Sequence, residues 1–310
     1  MKEQNFNKLD KLSKTIIDNY QIRKGKKRKT AFISLLKENF PHLKIQSGGW
    51  AKNNNIIIGD LDKADTIITA HYDTCAVLPF PNLLIPNNLI LTTILQFIFV
   101  GITYAIINFA EISVLRLFNI EVTSFINFIL FEFTLILMLV LMYLGKANKH
   151  TMNDNTSGVI TLLETMKLYS EENVCYVLFD NEEVGLLGSA YFAKTNKAIL
   201  KNKLIINIDC VSDGDNIVII TAKKHEEKYR NKVLESFKSD EKNIIYSNNK
   251  KFFYPSDQIN FKNYLVIAAF NKNKLFGYYV DKIHTRKDLV FDQNNIILIR
   301  DSLIKFVSSK

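Results

Sequence analysis

Five short segments of this sequence carry side chains able to do acid–base or metal chemistry: His71-Tyr72-Asp73, Asn153-Asp154-Asn155-Thr156-Ser157-Gly158, Asp180-Asn181-Glu182-Glu183-Val184-Gly185, Asp209, and Ile283-His284-Thr285-Arg286-Lys287-Asp288. Imidazoles and carboxylates together, without thiolates, suit zinc in a hydrolytic site rather than a structural one. His71 and Asp73 are two apart, so on extended backbone they point the same way. One can bind a metal while the other fixes the second ring nitrogen. Glu182 and Glu183 are adjacent and point apart, so one can be a ligand while the other faces substrate, as metal-assisted hydrolysis requires. Asp154, Glu183 and Asp209 bring three negative charges, which with a hydroxide offset two divalent cations. Without metal, some of these carboxylates would have to take up protons. A lone histidine or a Glu-Glu pair is ordinary in cores and on surfaces; the weight lies in five segments in workable order.

The elements that must position these residues can also be read. Residues 66–70 form a β-branched run before His71, while the apolar runs 174–179 and 204–208 end in Asp180 and Asp209. Residues 217–221 and 265–270 look like further strands. Helical spacing recurs in Phe6, Leu9, Leu12, Ile16, Ile17 and Tyr20, in Phe32, Leu35, Leu36 and Phe40, and over 157–169, 188–195 and 294–307. Short apolar strands separated by helices predict an α/β fold with a mixed, mainly parallel sheet covered on both faces. In such sheets function gathers beyond the carboxyl ends of strands, where the five segments fall.

The chain has 310 residues and a formal net charge of +9. Its 47% hydrophobic and 23% charged content excludes a disordered chain, and 11 glycines and 5 prolines exclude a collagenous one. Cys75, Cys175 and Cys210 have no paired spacing, which excludes a disulfide framework and a thiolate zinc site. Residues 89–109 are 21 in a row without a charge, and residues 124–144 another 21 with only Glu132. As helices each run spans about 31 Å, matching a hydrocarbon core of about 30 Å. With Glu111, Arg116 and Glu121 in a connector over 110–123, they predict a transmembrane helical hairpin inserted over 84–145. The catalytic domain is then formed by 1–83 and 146–310. Glu132 should face the partner helix or sit protonated. The N-terminus is hydrophilic and lacks a cleavable signal. The basic run 23–29 (RKGKKRK), with Lys146 and Lys149 beside the second span, predicts an integral membrane protein whose catalytic part faces the cytoplasm. That run reads equally as a solvated loop or as a contact to anionic headgroups of the lipid bilayer. Nucleic acid is not an expected partner, because no recognition motif accompanies the charge.

HYD, NDNTSGV, FDNEEVGLLGS, the Asp of NIDCVSDGD and the His of IHTRKD resemble the zinc exopeptidase family twenty-eight, which holds di-zinc aminopeptidases, glutamate carboxypeptidase relatives and glutaminyl cyclases. The resemblance spans residues 56–71 and 153 to the C-terminus. It implies a three-layer α/β/α sandwich and two Zn2+ ions. By that resemblance Asp154 would bridge the ions, Glu183 and His284 would complete one site, and His71 with Asp209 the other. Asp73 would orient His71. Glu182 would be the general base that deprotonates the water between the metals and then the acid that protonates the leaving amine. The ions are expected about 3.5–4 Å apart, acidifying that water and polarising the scissile carbonyl.

Three departures from the family pattern matter. The separation between His71 and Asp154 is 83 residues, of which 84–145 supplies 62 and leaves an ordinary 21. A hairpin returns the chain near its exit point, so the ligands can still converge. In the segment 254–261 (YPSDQINF), Ser256, Asp257 and Gln258 resemble the family's Ser-Asp-His near the substrate pocket, with Gln258 where His is usual. No protease-associated domain or secretion signal is expected. His42, His150 and His225 lie in no ligand context, Asp213-Gly214-Asp215 reads as a tight turn, Tyr278 and Tyr279 could line the pocket or pack, and Cys210 reads as a buried apolar residue. The expected activity is that of a membrane-anchored zinc exopeptidase, an aminopeptidase acting on peptide substrates. A glutaminyl-cyclase-like acyltransferase and an inactive membrane scaffold of the same fold are the alternatives.

Overall fold

The computed structural model describes residues 9–309, so the start of the helical pattern at Phe6 lies outside the described residues. Helices α1 (Lys11–Asn19) and α2 (Lys26–Asn39) lead into strands β1 (Lys44–Gly48), β2 (Asn53–Ile58) and β3 (Thr66–His71), and then into helices α3 (Leu89–Leu117) and α4 (Ser124–Leu144). A tight turn over Met152–Ser157 opens α5 (Gly158–Leu168), followed by β4 (Val174–Phe179), α6 (Leu187–Thr195), β5 (Leu204–Ile208) and β6 (Asn216–Thr221). The chain closes with α7 (Glu226–Ser236), β7 (Asn243–Asn248), β8 (Tyr264–Asn273), β9 (Gly277–Tyr279) and α8 (Gln293–Ser308).

The strands form one sheet in the order β1-β2-β4-β3-β5-β8-β6-β7, with β9 pairing β8. The central strands β4, β3, β5 and β8 run parallel, while β2 and β6 run against their central neighbours. This is the mixed, mainly parallel sheet that the sequence predicts. Its burial alternates with period two. On β5, Leu204, Ile206 and Ile208 face the layer containing α1, α2, α5, α7 and α8, while Ile205 faces the layer containing α6. On that second side Phe179 meets Phe192 and Phe261 at ring-centroid distances of 5.4 and 6.0 Å.

The greasy insert does not join this core. Helices α3 and α4 are long and apolar enough to cross a membrane, and only 6% and 11% of their most apolar windows are buried. A buried helical pair inside a soluble core is thereby excluded. The stretch 110–123 differs from the expected connector, because α3 continues through Glu111 and Arg116 to Leu117. Glu132 does not face the partner helix: it is exposed, and Glu111 makes the interhelical bond instead, accepting from the Thr134 hydroxyl at 2.7 Å. The reason is angular. The stripe of α4 turned toward α3 holds Thr134 and Met138, four apart, and a residue two before Thr134 lies on the opposite face.

The basic run also divides. Lys26, Lys27 and Arg28 are exposed in the first turn of α2, but Lys29 pairs with Asp180 at 2.5 Å and Arg23 is completely buried. Arg23 belongs to the fold, not to a solvated patch.

Truncating the aromatic cluster should be costly: Phe179→Ala is expected to lower unfolding stability by about 3–5 kcal/mol, read from the shift of the denaturant midpoint.

Candidate metal centre

Three of the five chemical segments meet because their strands are neighbours. β4, β3 and β5 lie side by side and parallel, with His71 level with Phe179 and Thr69 level with Asn207. The residues just past their carboxyl ends, Asp180–Glu183, His71–Asp73 and Asp209, therefore emerge along one edge. Asp154 reaches this edge from the turn before α5, and His284 from the loop after β9.

Asp154 stands between the two histidines. Its Oδ1 is 3.3 Å from His71 Nε2 and its Oδ2 is 2.8 Å from His284 Nε2. His71 Nε2 also lies 3.5 Å from Asp209 Oδ1, and His284 Nε2 lies 3.2 Å from Glu183 Oε2. Two half-sites result, one of His71, Asp209 and Asp154 Oδ1, the other of His284, Glu183 and Asp154 Oδ2. Glu182 is close to both His71 and Glu183.

Local structure holds each piece. Asn155 receives the backbone N–H of Gly158 and of Cys210 and donates to the Ile208 carbonyl, tying the Asp154 turn to the end of β5. A Cβ at Gly158 would collide with Asn155 Oδ1 and the Ile208 carbonyl, so only glycine fits there. Asn153 Oδ1 accepts from Ser212 and Asp213, bracing the loop after Asp209.

Asp73 stands against the Nδ1 side of His71. Its backbone carbonyl, not its carboxylate, faces His71 Nδ1 at 3.2 Å; the carboxylate lies 3.8 Å from that nitrogen. The carboxylate instead accepts from the backbone N–H groups of Glu182 at 3.0 Å and Glu183 at 3.3 Å. The parallel β3–β4 pairing brings the loop after β4 within its reach. With Nδ1 against the Asp73 carbonyl, Nε2 is the ring nitrogen turned toward Asp154 and Asp209.

The electrostatics are those of a cation site. Burial alone would lower the pKa of His71, but Glu182, Asp154, Asp209 and Asp73 reverse this and hold it well above the ordinary histidine value. Burial likewise opposes charge on His284, yet Glu183 and Asp154 raise it to about 10. Burial together with Asp154 pushes Glu183 up to about 8, against the pull of His284. Burial, helped by Glu183 and Asp257, lifts Glu182 well above the carboxylate range. Burial raises Asp154 too, but both histidines outweigh it and its pKa falls below normal. Glu183 Oε1 and Asp209 Oδ1 are buried and meet no hydrogen-bond donor among the described residues. Buried carboxylate oxygens without donors, converging with two imidazoles, fit a divalent cation of zinc's ligand preference.

Ser256, Asp257 and Gln258 follow Tyr254 and Pro255 into the short helical turn Asp257–Asn260. All three are buried; Asn207 donates to Ser256 Oγ and Gln258 Oε1, and Gln258 donates to the Tyr254 carbonyl. Tyr254 and Pro255, just before them, line the recess of about 180 Å³ over the half-sites, with Leu84, Asn82, Cys210 and Ile283. Three other residues had no sequence signal of their role. Asp288 accepts from the backbone N–H of Asn153 at 2.7 Å and of Asp154 at 3.0 Å. Arg23 donates to the Tyr72 carbonyl at 2.5 Å and to Thr156 Oγ1 at 3.1 Å, joining the two ligand segments from beneath. Cys75 sits beside Glu183 and His284, where burial and the nearby carboxylates keep its thiol protonated.

An α/β protein with a buried carboxylate–imidazole centre at the carboxyl edge of its sheet is the class these features define. Residues 142–305 match peptidase family M28, more than half of the sequence, and the chain belongs to that family. Among solved structures, the Porphyromonas gingivalis glutaminyl cyclase shares 15% identity at a TM-score of 0.60, covering 95% of this chain and 94% of that one. The Bacteroides thetaiotaomicron glutaminyl cyclase bound to N-acetylhistamine shares 14% at 0.57, over 96% and 95%. The Legionella pneumophila LapA aminopeptidase shares 12% at 0.56, over 96% of this chain and 68% of that one. These likenesses are of fold. No curated protein matches the sequence.

Metal should stabilise this charge cluster directly. Adding zinc to chelator-treated protein at about 100 times its dissociation constant is expected to raise stability by about 2.7 kcal/mol, seen as a higher unfolding temperature.

Proposed function

We propose that this protein is a zinc-dependent exopeptidase, an aminopeptidase that removes N-terminal residues from peptides and is held at a membrane by the α3–α4 hairpin, its catalytic part facing the cytoplasm. One observation carries the reading: the two oxygens of Asp154 address two histidine–carboxylate half-sites with Glu182 alongside. His71, Asp209 and Asp154 would hold one zinc ion, and His284, Glu183 and Asp154 the second. Bound there, zinc supplies Lewis acidity toward a carbonyl and lowers the pKa of water.

The chain's own residues supply the rest. Glu182 lines the recess, within reach of a water held there, and burial raises its pKa above the ordinary carboxylate range. It takes a proton from the attacking water as the carbon–oxygen bond forms. It then gives that proton to the departing nitrogen as the carbon–nitrogen bond breaks. Asp73 fixes the Glu182–Glu183 backbone, so the two carboxylates keep different directions. Leu84, Tyr254, Pro255 and Ile283 offer apolar contact to the terminal side chain.

Glutaminyl cyclisation is the second reading, favoured by the near full-length overlap with two cyclases. Two half-sites of equal make-up speak for the peptidase; a single bound zinc with turnover of N-terminal glutamine would favour the cyclase.

Glu182→Gln should lower kcat by about 10²- to 10⁴-fold while zinc content stays unchanged. Peptidase activity that survives both a chelator and this substitution overturns the proposal. Membrane fractionation checks the anchor: the chain should sediment with membranes in high salt and alkali and be released by detergent.

A further inference from the structure

His284 is the only proposed ligand that does not follow a central strand or sit at the head of α5, and it needs separate support. It lies in the loop after β9, with a backbone φ of +60°, a left-handed conformation that a residue with a Cβ adopts at a cost unless its surroundings impose it. The surroundings are the stem of the helical hairpin. Asn82 Nδ2 donates to the Ile283 carbonyl at 3.3 Å, the Leu78 N–H to the His284 carbonyl at 3.0 Å, and Asn148 Nδ2 to the Thr285 carbonyl at 2.8 Å. Three successive carbonyls centred on the ligand are thus held by residues from the two legs of the hairpin.

The stem is itself rigid. Ala76 pairs with Ala147, and Leu84 exchanges two hydrogen bonds with Val280 upstream of His284. Gln96, in the second turn of α3, donates to Asn82 Oδ1 and to the Leu83 carbonyl, both at 3.0 Å. Thr92 Oγ1 bonds both the N–H and the carbonyl of Ile85. Asn148 is fully buried, so its amide has no water to turn to. A continuous set of hydrogen bonds therefore runs from α3 through Asn82 to the backbone beside His284.

We infer that the hairpin stem is the positioning device for His284, with Asn82 and Asn148 as positioning residues and Gln96 as the link to α3. The insert would then set the geometry of the Glu183–His284 half-site as well as anchor the chain. This rests on the metal-site reading above. It predicts an asymmetry: disturbing the stem should weaken one half-site and spare that of His71 and Asp209, which hangs on β3 and β5.

The test uses the full chain in detergent micelles. Zinc affinities are measured by competition with a chromophoric chelator, and ligand geometry by the visible spectrum of the cobalt-substituted protein, for wild type, Asn82→Ala, Asn148→Ala, Gln96→Ala, His284→Ala and His71→Ala. Two sites are expected in the wild type. In Asn82→Ala and Asn148→Ala one site should weaken about 10- to 100-fold, with the cobalt spectrum shifting toward that of His284→Ala and away from His71→Ala, and Gln96→Ala should show the same change in smaller degree. The metal-free unfolding temperature should stay near that of the wild type in Asn82→Ala, whose half-buried position carries the test if Asn148→Ala fails to fold. Unchanged affinities in a folded Asn82→Ala overturn the stem's role and leave the peptidase reading standing. Equal weakening of both sites, with a lower metal-free unfolding temperature, also overturns it, since that is general destabilisation. A wild type that binds no zinc overturns both.

Discussion

The structure turns on a concentration of negative charge where it is least tolerated. Asp73, Asp154 and Asp209 are buried at the edge where three parallel strands end, with Glu182 and Glu183 beside them, and the two imidazoles do not balance them. A cluster of this kind survives folding only if every carboxylate is held by donors, protons or cations. Part of the answer is visible: backbone N–H groups donate to Asp73, and the charge of the buried Arg23 acts on Asp73, Asp154 and Glu183, while Asp288, itself held by the N–H groups of Asn153 and Asp154, adds one more carboxylate. What they leave over is the part a divalent cation neutralises.

The same constraint explains the division of labour among the carboxylates. Glu182 and Glu183 are adjacent in sequence, yet one faces the recess with the apolar side chains and the other faces His284. The backbone between them is pinned by Asp73. Their identity as carboxylates is common; their roles come from which neighbour each one meets.

Much of this was legible in the residues. The runs that become β4 and β5 were readable to the residue, because a fully buried parallel strand is an unbroken apolar stretch and a carboxylate breaks it. β2 was not legible: it opens Asn53-Asn54-Asn55, and two of those asparagines are buried only because Leu187, Gly188 and Asn181 accept from or donate to them. α7 escaped notice because only Tyr229 and Val233 give it an apolar stripe among charged residues. At the site, five short segments stood out by residue type and order and the family resemblance named His71, Asp154, Glu183, Asp209 and His284 within them, whereas the partner of the Asp73 carboxylate depended on strand adjacency. Arg23 was hidden by its neighbours: inside RKGKKRK it looked like one more solvated cation. Ser256 and Gln258 carry bonds that no sequence pattern announced, since both accept from Asn207 of β5.

The neck of the hairpin is narrow. The chain leaves and re-enters the catalytic unit through one antiparallel bridge, Ala76 to Ala147, closed by hydrogen bonds from Val77 to Lys146 and from Asn148 to Cys75. Beyond the few residues of α3 that brace this neck, the sheet is indifferent to what the loop contains. Such a joint works as a socket: helices of other lengths could be seated there without redesigning the interior of the sheet.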